Sequence, residues 1–156
     1  MDCNELFLNE VIRVELVPAN VCTMSVPDTV PMTEMANCTI GTAAMVVDAN
    51  CSETYAGVLD SAPSLKTTQK PQAAGRLRQH DLTIPTRGDY IKVRQAGEQL
   101  AGIDFHVVLH TIGGTRFLLY SLPNSSYVSI EDQFGGEPKQ TVKVNLVSMS
   151  NMIKLT

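Results

Sequence analysis

The first regular pattern in the chain runs from Val11 to Val17, where Ile12, Val14 and Leu16 alternate with Arg13 and Glu15. Alternation of period two puts the apolar residues on one side of an extended chain and the charges on the other, which predicts a strand with one buried face. Residues 21–26 (VCTMSV) predict a second short strand closed by Pro27, and residues 28–38, with Pro31 and mixed polarity, predict a loop. In 39–48 (TIGTAAMVVD) Val46 and Val47 favour a strand, whereas the two alanines and Met45 suit a helix, so both readings stay open.

Residues 60–75 (DSAPSLKTTQKPQAAG) differ in kind: two prolines, several polar residues and a closing glycine, with no hydrophobic period. A stretch of this length predicts an extended surface arm, either a loop or a reach over a neighbouring subunit. Beyond it, LTIP (82–85) and YIKVR (90–94) predict short strands about a turn at Arg87-Gly88. For 95–102 (QAGEQLAG) the two glycines argue against anything longer than one helical turn or a loop.

The sharpest local signal is Ile103 to Ile112, then Gly113-Gly114, then Thr115 to Leu122. Two apolar runs about a glycine pair predict a hairpin with a two-residue loop, because glycine adopts the positive φ of primed turns without steric cost. In that register Ile112 faces Thr115, His110 faces Phe117 and Val108 faces Leu119. One face then holds Phe105, Val107, Leu109, Leu118, Tyr120 and Leu122, a plausible core. The other holds His106, Val108, His110, Ile112, Phe117 and Leu119 beside Thr115 and Ser121. That second face is too apolar for water. A second layer of the same domain or another subunit would cover it.

Further strands are predicted at Tyr127–Ile130 and, after a turn at Gly135-Gly136, at Thr141–Met149, where Val142, Val144 and Leu146 alternate with Lys143, Asn145 and Val147. The C-terminal half reads as an antiparallel meander. The chain of 156 residues suits a single mainly β domain, an antiparallel β-sandwich or small barrel with 60–75 as a long arm.

Charge adds an asymmetry. Residues 1–60 carry nine acidic residues and one basic one (Arg13), while 66–94 carry seven basic residues against Asp81 and Asp89. The two regions either face solvent or meet across a subunit boundary, with Lys66 and Lys70 on the basic side. The basic segment has only Tyr90 for stacking and no basic helical stripe, which speaks against nucleic-acid recognition.

Chemistry is sparse. Cys3, Cys22, Cys38 and Cys51 form no CxxC pair and fit no zinc module. With an acidic N-terminal stretch unlike a secretory leader, they read as reduced and buried. The asparagines of Asn37-Cys38-Thr39 and Asn50-Cys51-Ser52 then have no glycosylation chemistry behind them. His106 and His110 on a strand lie on one face but about 13 Å apart, too far for one metal ion. His80 and Asp81 point to opposite faces and make no acid–base couple. Arg87-Gly88-Asp89 reads as a turn rather than an adhesive motif. There is no GxSxG elbow, P-loop or GxGxxG. No cofactor, metal or catalytic residue is expected.

The run GRLRQHDLTIP (75–85), the glycine hairpin FHVVLHTIGGTRFLLYSLP and the closing strand TVKVNLVSM together resemble the tail-tube and related tail structural proteins of long-tailed bacteriophages. The resemblance covers about residues 75–156. It implies a non-catalytic subunit, assembled in the host cytoplasm into a ring or stacked rings of a virion. Residues 60–75 would be an inter-ring arm, other virion proteins its partners, and DNA in a lumen a passive contact without any membrane. Such proteins usually carry a flanking helix, for which the sequence offers no convincing segment. The alternative is a monomeric β-domain that binds a ligand or partner protein. On the assembly reading the oligomer interface comprises His106, Val108, His110, Ile112, Phe117, Leu119, Lys66 and Lys70.

Overall fold

A computed structural model of the chain describes residues 11–18, 34–35, 43–48, 56–59, 63–72, 75–87, 90–122, 124–133, 139–148 and 153–155. The elements are β1 (Val11–Pro18), β2 (Glu34–Met35), β3 (Met45–Asp48), β4 (Ala56–Leu59), β5 (Ser64–Gln72), β6 (Gly75–Arg87), α1 (Tyr90–Leu100), β7 (Phe105–Thr111), β8 (Arg116–Leu119), β9 (Tyr127–Gln133), β10 (Lys139–Ser148) and β11 (Ile153–Leu155). The strands run in one hydrogen-bonded path, β2-β11-β8-β7-β1-β3-β4-β6-β10-β9, with β5 added on β6. The strands pack as two layers, a β-sandwich rather than a closed barrel. Most pairs are antiparallel; β3 with β4 and β11 with β2 are parallel.

Alternation explains the core. Val14 and Leu16 of β1, Val107 and Leu109 of β7, and Met45 and Val47 of β3 are buried from one layer. Leu82 and Ile84 of β6 and Val142, Val144 and Leu146 of β10 are buried from the other, in a single cluster with them. Fully burying one such side chain contributes about 1.5–3 kcal/mol, so the cluster holds the layers together. The partner positions Lys143 and Asn145 stay outside, as the pattern predicts. Residues 45–48 resolve to strand, because β3 lies between β1 and β4 with all four residues buried.

Five expectations are corrected. YIKVR (90–94) is the start of α1, not a strand. Val93, Ala96, Gly97 and Leu100 are buried at the i, i+3, i+4, i+7 spacing of a helix face, whereas Ile91, which made the segment look alternating, is 58 % exposed. Neither glycine prevents the helix. A Cβ at position 97 would lie 2.5 Å from Ile130 Cδ1, so glycine lets α1 press against β9, and Gly102, with φ +77°, ends it in the left-handed conformation. LTIP is the middle of the thirteen-residue β6.

The segment 60–75 is not without structure. Its described residues form β5 and the start of β6, paired from Ser64↔Thr83 to Gln72↔Gly75. Nor is the C-terminal half a meander: β7–β8 lies in one layer, β9–β10 in the other, and β11 returns to β8. The four cysteines, the 21–26 strand and the turns at Gly88 and Gly135-Gly136 lie outside the described residues.

Candidate functional site

The glycine hairpin closes one residue differently from the expected register. Val107 pairs with Leu119, Val108 with Leu118, Leu109 with Phe117 and His110 with Arg116. The loop holds three residues, Ile112 to Gly114. Thr111 N–H donates to Thr115 O at 3.0 Å, Gly114 N–H donates to Thr111 O at 3.1 Å, and Gly114 takes φ +84°. A slip of one residue sends every β8 side chain to the opposite face. Phe117 and Leu119 therefore join the core with Phe105, Val107 and Leu109, and Leu118 crosses to the face of His106, Val108 and His110.

That second face is buried within the chain over much of its extent. Val108, Leu118, Val17 and Ile153 are all 0 % exposed. The expected interface is corrected accordingly. His106, Val108 and Leu119 are covered inside the chain, and Phe117 packs on the core. His110 is half-buried. Ile112, at the hairpin tip, is exposed, and so is Lys66 on β5; Lys70 lies on β5 opposite Leu77.

A polar row crosses this face. Asp48, Arg13, His110 and Arg116 occupy successive strands β3, β1, β7 and β8. Arg13 donates from Nε to Glu15 Oε1 at 2.7 Å and from Nη1 to Asp48 Oδ2 at 3.1 Å. His110 Nε2 lies 2.9 Å from Glu15 Oε1, an ion pair only when the imidazole is protonated. Burial raises the Glu15 pKa, but His110 and Arg13 outweigh it and hold the carboxyl below its ordinary range. The cluster thus keeps a charge inside the sheet by pairing it on both sides.

His106 is the other perturbed group. Its ring stacks on Tyr120 with centroids 4.3 Å apart. Its Nδ1 accepts the Ser121 N–H at 3.1 Å, while the Ser121 hydroxyl donates to Phe105 O at 2.6 Å. A ring nitrogen that accepts an N–H carries no proton, so the imidazole is neutral with its proton on Nε2. Burial pushes its pKa down to about 4, against a smaller upward pull from Asp104.

On the second layer, His80 Nε2 lies 2.8 Å from Ser148 Oγ and its Nδ1 lies 2.9 Å from Thr67 Oγ1. The distances match a serine–histidine pair, but Ser148 and His80 are each 1 % exposed, so no substrate reaches the hydroxyl. The imidazole instead braces β5, β6 and β10. Sequence reasoning missed this contact because Thr67 and Ser148 are distant in sequence from His80; only the pairing of three strands brings them together. Asp81, on the opposite face, is separate from it.

A shallow groove of about 220 Å³ lies between α1 and β9, lined by Arg94, Gly97, Glu98, Ala101, Val128 and Ile130. Arg94 closes one side by an ion pair with Asp132, whose other oxygen accepts Gln140 Nε2 at 2.9 Å. Among the described residues, no three histidine, cysteine or acidic side chains are placed to hold a metal ion, and no helix is long and apolar enough to cross a membrane.

The β5–β6 hairpin is the other prominent feature. Lys66, Thr67, Thr68 and Gln69 are consecutive and all exposed, so β5 is wet on both faces there. Among the described residues, β10 pairs with β6 from Arg78 to Thr86, and β5 pairs with β6 from Ser64 to Gln72. No family model, curated protein or solved structure matches the chain.

Proposed function

We propose that the protein is a non-catalytic structural subunit that self-assembles, as a ring or tube component of a bacteriophage virion tail. The observation that carries self-assembly is the β5–β6 arm. Among the described residues β5 pairs with β6 alone, and Lys66 to Gln69 are exposed on both faces of the strand. Ordered strand edges of this kind are templates for pairing with another chain. The virion assignment rests on the sequence resemblance over residues 75–156, and α1 supplies the flanking helix that such proteins carry. Negative-stain microscopy of the purified chain tests the reading: rings or tubes of uniform width are expected, and a field of separate small particles at high concentration overturns it.

A monomeric binding domain is the second reading, favoured by the groove between α1 and β9. Under it the protein remains a single chain in solution, and Ala101→Trp, which fills the groove, abolishes binding of the partner while leaving the fold intact.

A further inference from the structure

Among the described residues, strands β5, β6, β10 and β9 form an antiparallel run that ends at β5 and at β9, with β4 pairing β6 beyond the start of β5. Among the described residues β5 pairs only with β6, and β9 only with β10. We propose that the β5 edge of one copy takes the β9 edge of a second copy, antiparallel, with Lys66 opposite Glu131. This junction rests on the self-assembly reading above and names the surface that carries it.

Strand direction supports the pairing. The four strands alternate, so β5 and β9 run in opposite directions. Two copies related by a rotation about an axis along the strands therefore bring β9 of one antiparallel to β5 of the next. The contact is heterologous, which leaves a free β5 and a free β9 at its ends to continue the assembly.

Faces and register narrow it further. The outer face of the layer carries Lys66 and Thr68 on β5, Asp81 and Gln79 on β6, Lys143 and Asn145 on β10, and Ser129 and Glu131 on β9, each aligned by the observed pairing. The inner face carries Leu65, Leu82, Val144 and Val128. Two registers keep these faces aligned and cover the whole of β9; charge favours the one that sets Ser64 opposite Gln133, Lys66 opposite Glu131 and Thr68 opposite Ser129 over the one that sets Lys66 opposite Gln133. Opposite charges and hydroxyl pairs placed directly across a ladder are stabilising. Glu131 already reaches Lys143 Nζ at 3.1 Å, but its side chain is 64 % exposed, and a surface pair of this kind holds the carboxylate weakly. It is available to a second lysine.

Charge also argues against the symmetric alternative. Two β5 strands paired antiparallel along their full length set Lys66 opposite Lys70, like charges facing each other, which is destabilising. A partner edge bearing an exposed acid is the better match, and β9 provides it.

A charge swap tests the junction. Lys66→Glu, Glu131→Lys and the double variant are compared with the unchanged chain by sedimentation velocity across a concentration series, with circular dichroism to follow the fold. Each single variant is expected to self-associate about tenfold more weakly, and the double variant to recover to within about threefold, since opposite charges face each other again. Single variants that assemble like the unchanged chain overturn the junction and leave the self-assembly reading standing. Weak single variants with no recovery in the double overturn the Lys66–Glu131 register. An unchanged chain that stays a single species at every concentration overturns both the junction and the reading on which it rests.

Discussion

His106 shows how one buried side chain ties stability to pH. In the folded chain its imidazole is neutral, with its pKa lowered from 6.5 to about 4 by burial, while the unfolded chain titrates normally. Below pH 6.5 the unfolded state binds a proton that the folded state refuses, so stability is full above that value and falls steadily toward pH 4. The loss is roughly 3 kcal/mol across the window. Glu15 acts in the same direction at lower pH, because its depressed carboxyl pKa adds stability that vanishes as pH drops through the folded value. Urea melts between pH 7 and 4 are expected to show the decline, and His106→Gln to flatten the part between pH 6.5 and 4. A decline of unchanged size in that variant would assign the effect elsewhere.

Phe117 gives a second test at this scale. It sits on the core side of the hairpin, packed against the main cluster, so Phe117→Glu buries an unpaired charge and is expected to unfold the domain rather than merely prevent association. Loss of the cooperative thermal transition would bear this out. A folded but monomeric variant would return Phe117 to a subunit interface.

Among the elements, the hairpin β7–β8 turns on a single glycine. Gly114 occupies φ +84° with nothing within 4 Å of where a Cβ would stand. Gly114→Ala therefore costs only the backbone penalty, about 1–2 kcal/mol, seen as a lower denaturation midpoint. Gly113→Ala is expected to be nearly neutral, since Gly113 is not at positive φ and its nearest neighbour, Thr111 Oγ1, is 4.0 Å from the added carbon. Equal costs at the two positions would contradict the three-residue loop. In α1, Gly97→Val drives a branched side chain into Ile130 and is expected to cost about 1–3 kcal/mol.

These elements also mark where the sequence was legible. β10, with one wet face, is legible because alternation reports burial directly; β1 is legible as a strand, but its Arg13–Glu15 face is also covered, and an irregularity between Val11 and Arg13 puts Val11 in the core where alternation points to Ile12. The hairpin was recognised but misregistered, since Gly113-Gly114 fits loops of two residues and of three, and only the φ of Gly114 separates them. The helix was missed because Ile91 and Val93 alternate with Lys92 and Arg94 and mimic a strand. Its true stripe begins at Val93 and depends on Gly97, whose role is a close approach to β9 that no local pattern announces. Of the proposed interface, Ile112 and Lys66 lie at the surface, while the slip of one residue moved Phe117 and Leu119 into the core.

The molecule is a sandwich in which one layer is sealed on both faces and the other, among the described residues, ends at β5 and β9. The layer of β1, β3, β7 and β8 buries apolar residues on both faces, Leu109 on one and Val108 on the other. The layer of β5, β6, β10 and β9 buries only its inner face and leaves an outer face of lysine, asparagine, threonine and acidic residues. On the proposed self-assembly, growth would run along the second layer through backbone pairing at β5 and β9, with the first layer as support. The lysine of β5 at position 66 would then favour an acidic edge. The central claim is self-assembly, and light scattering coupled to size exclusion across a wide concentration range tests it most directly. A defined species whose mass is a whole multiple of the single chain's is expected; a mass equal to one chain at every concentration rules self-assembly out.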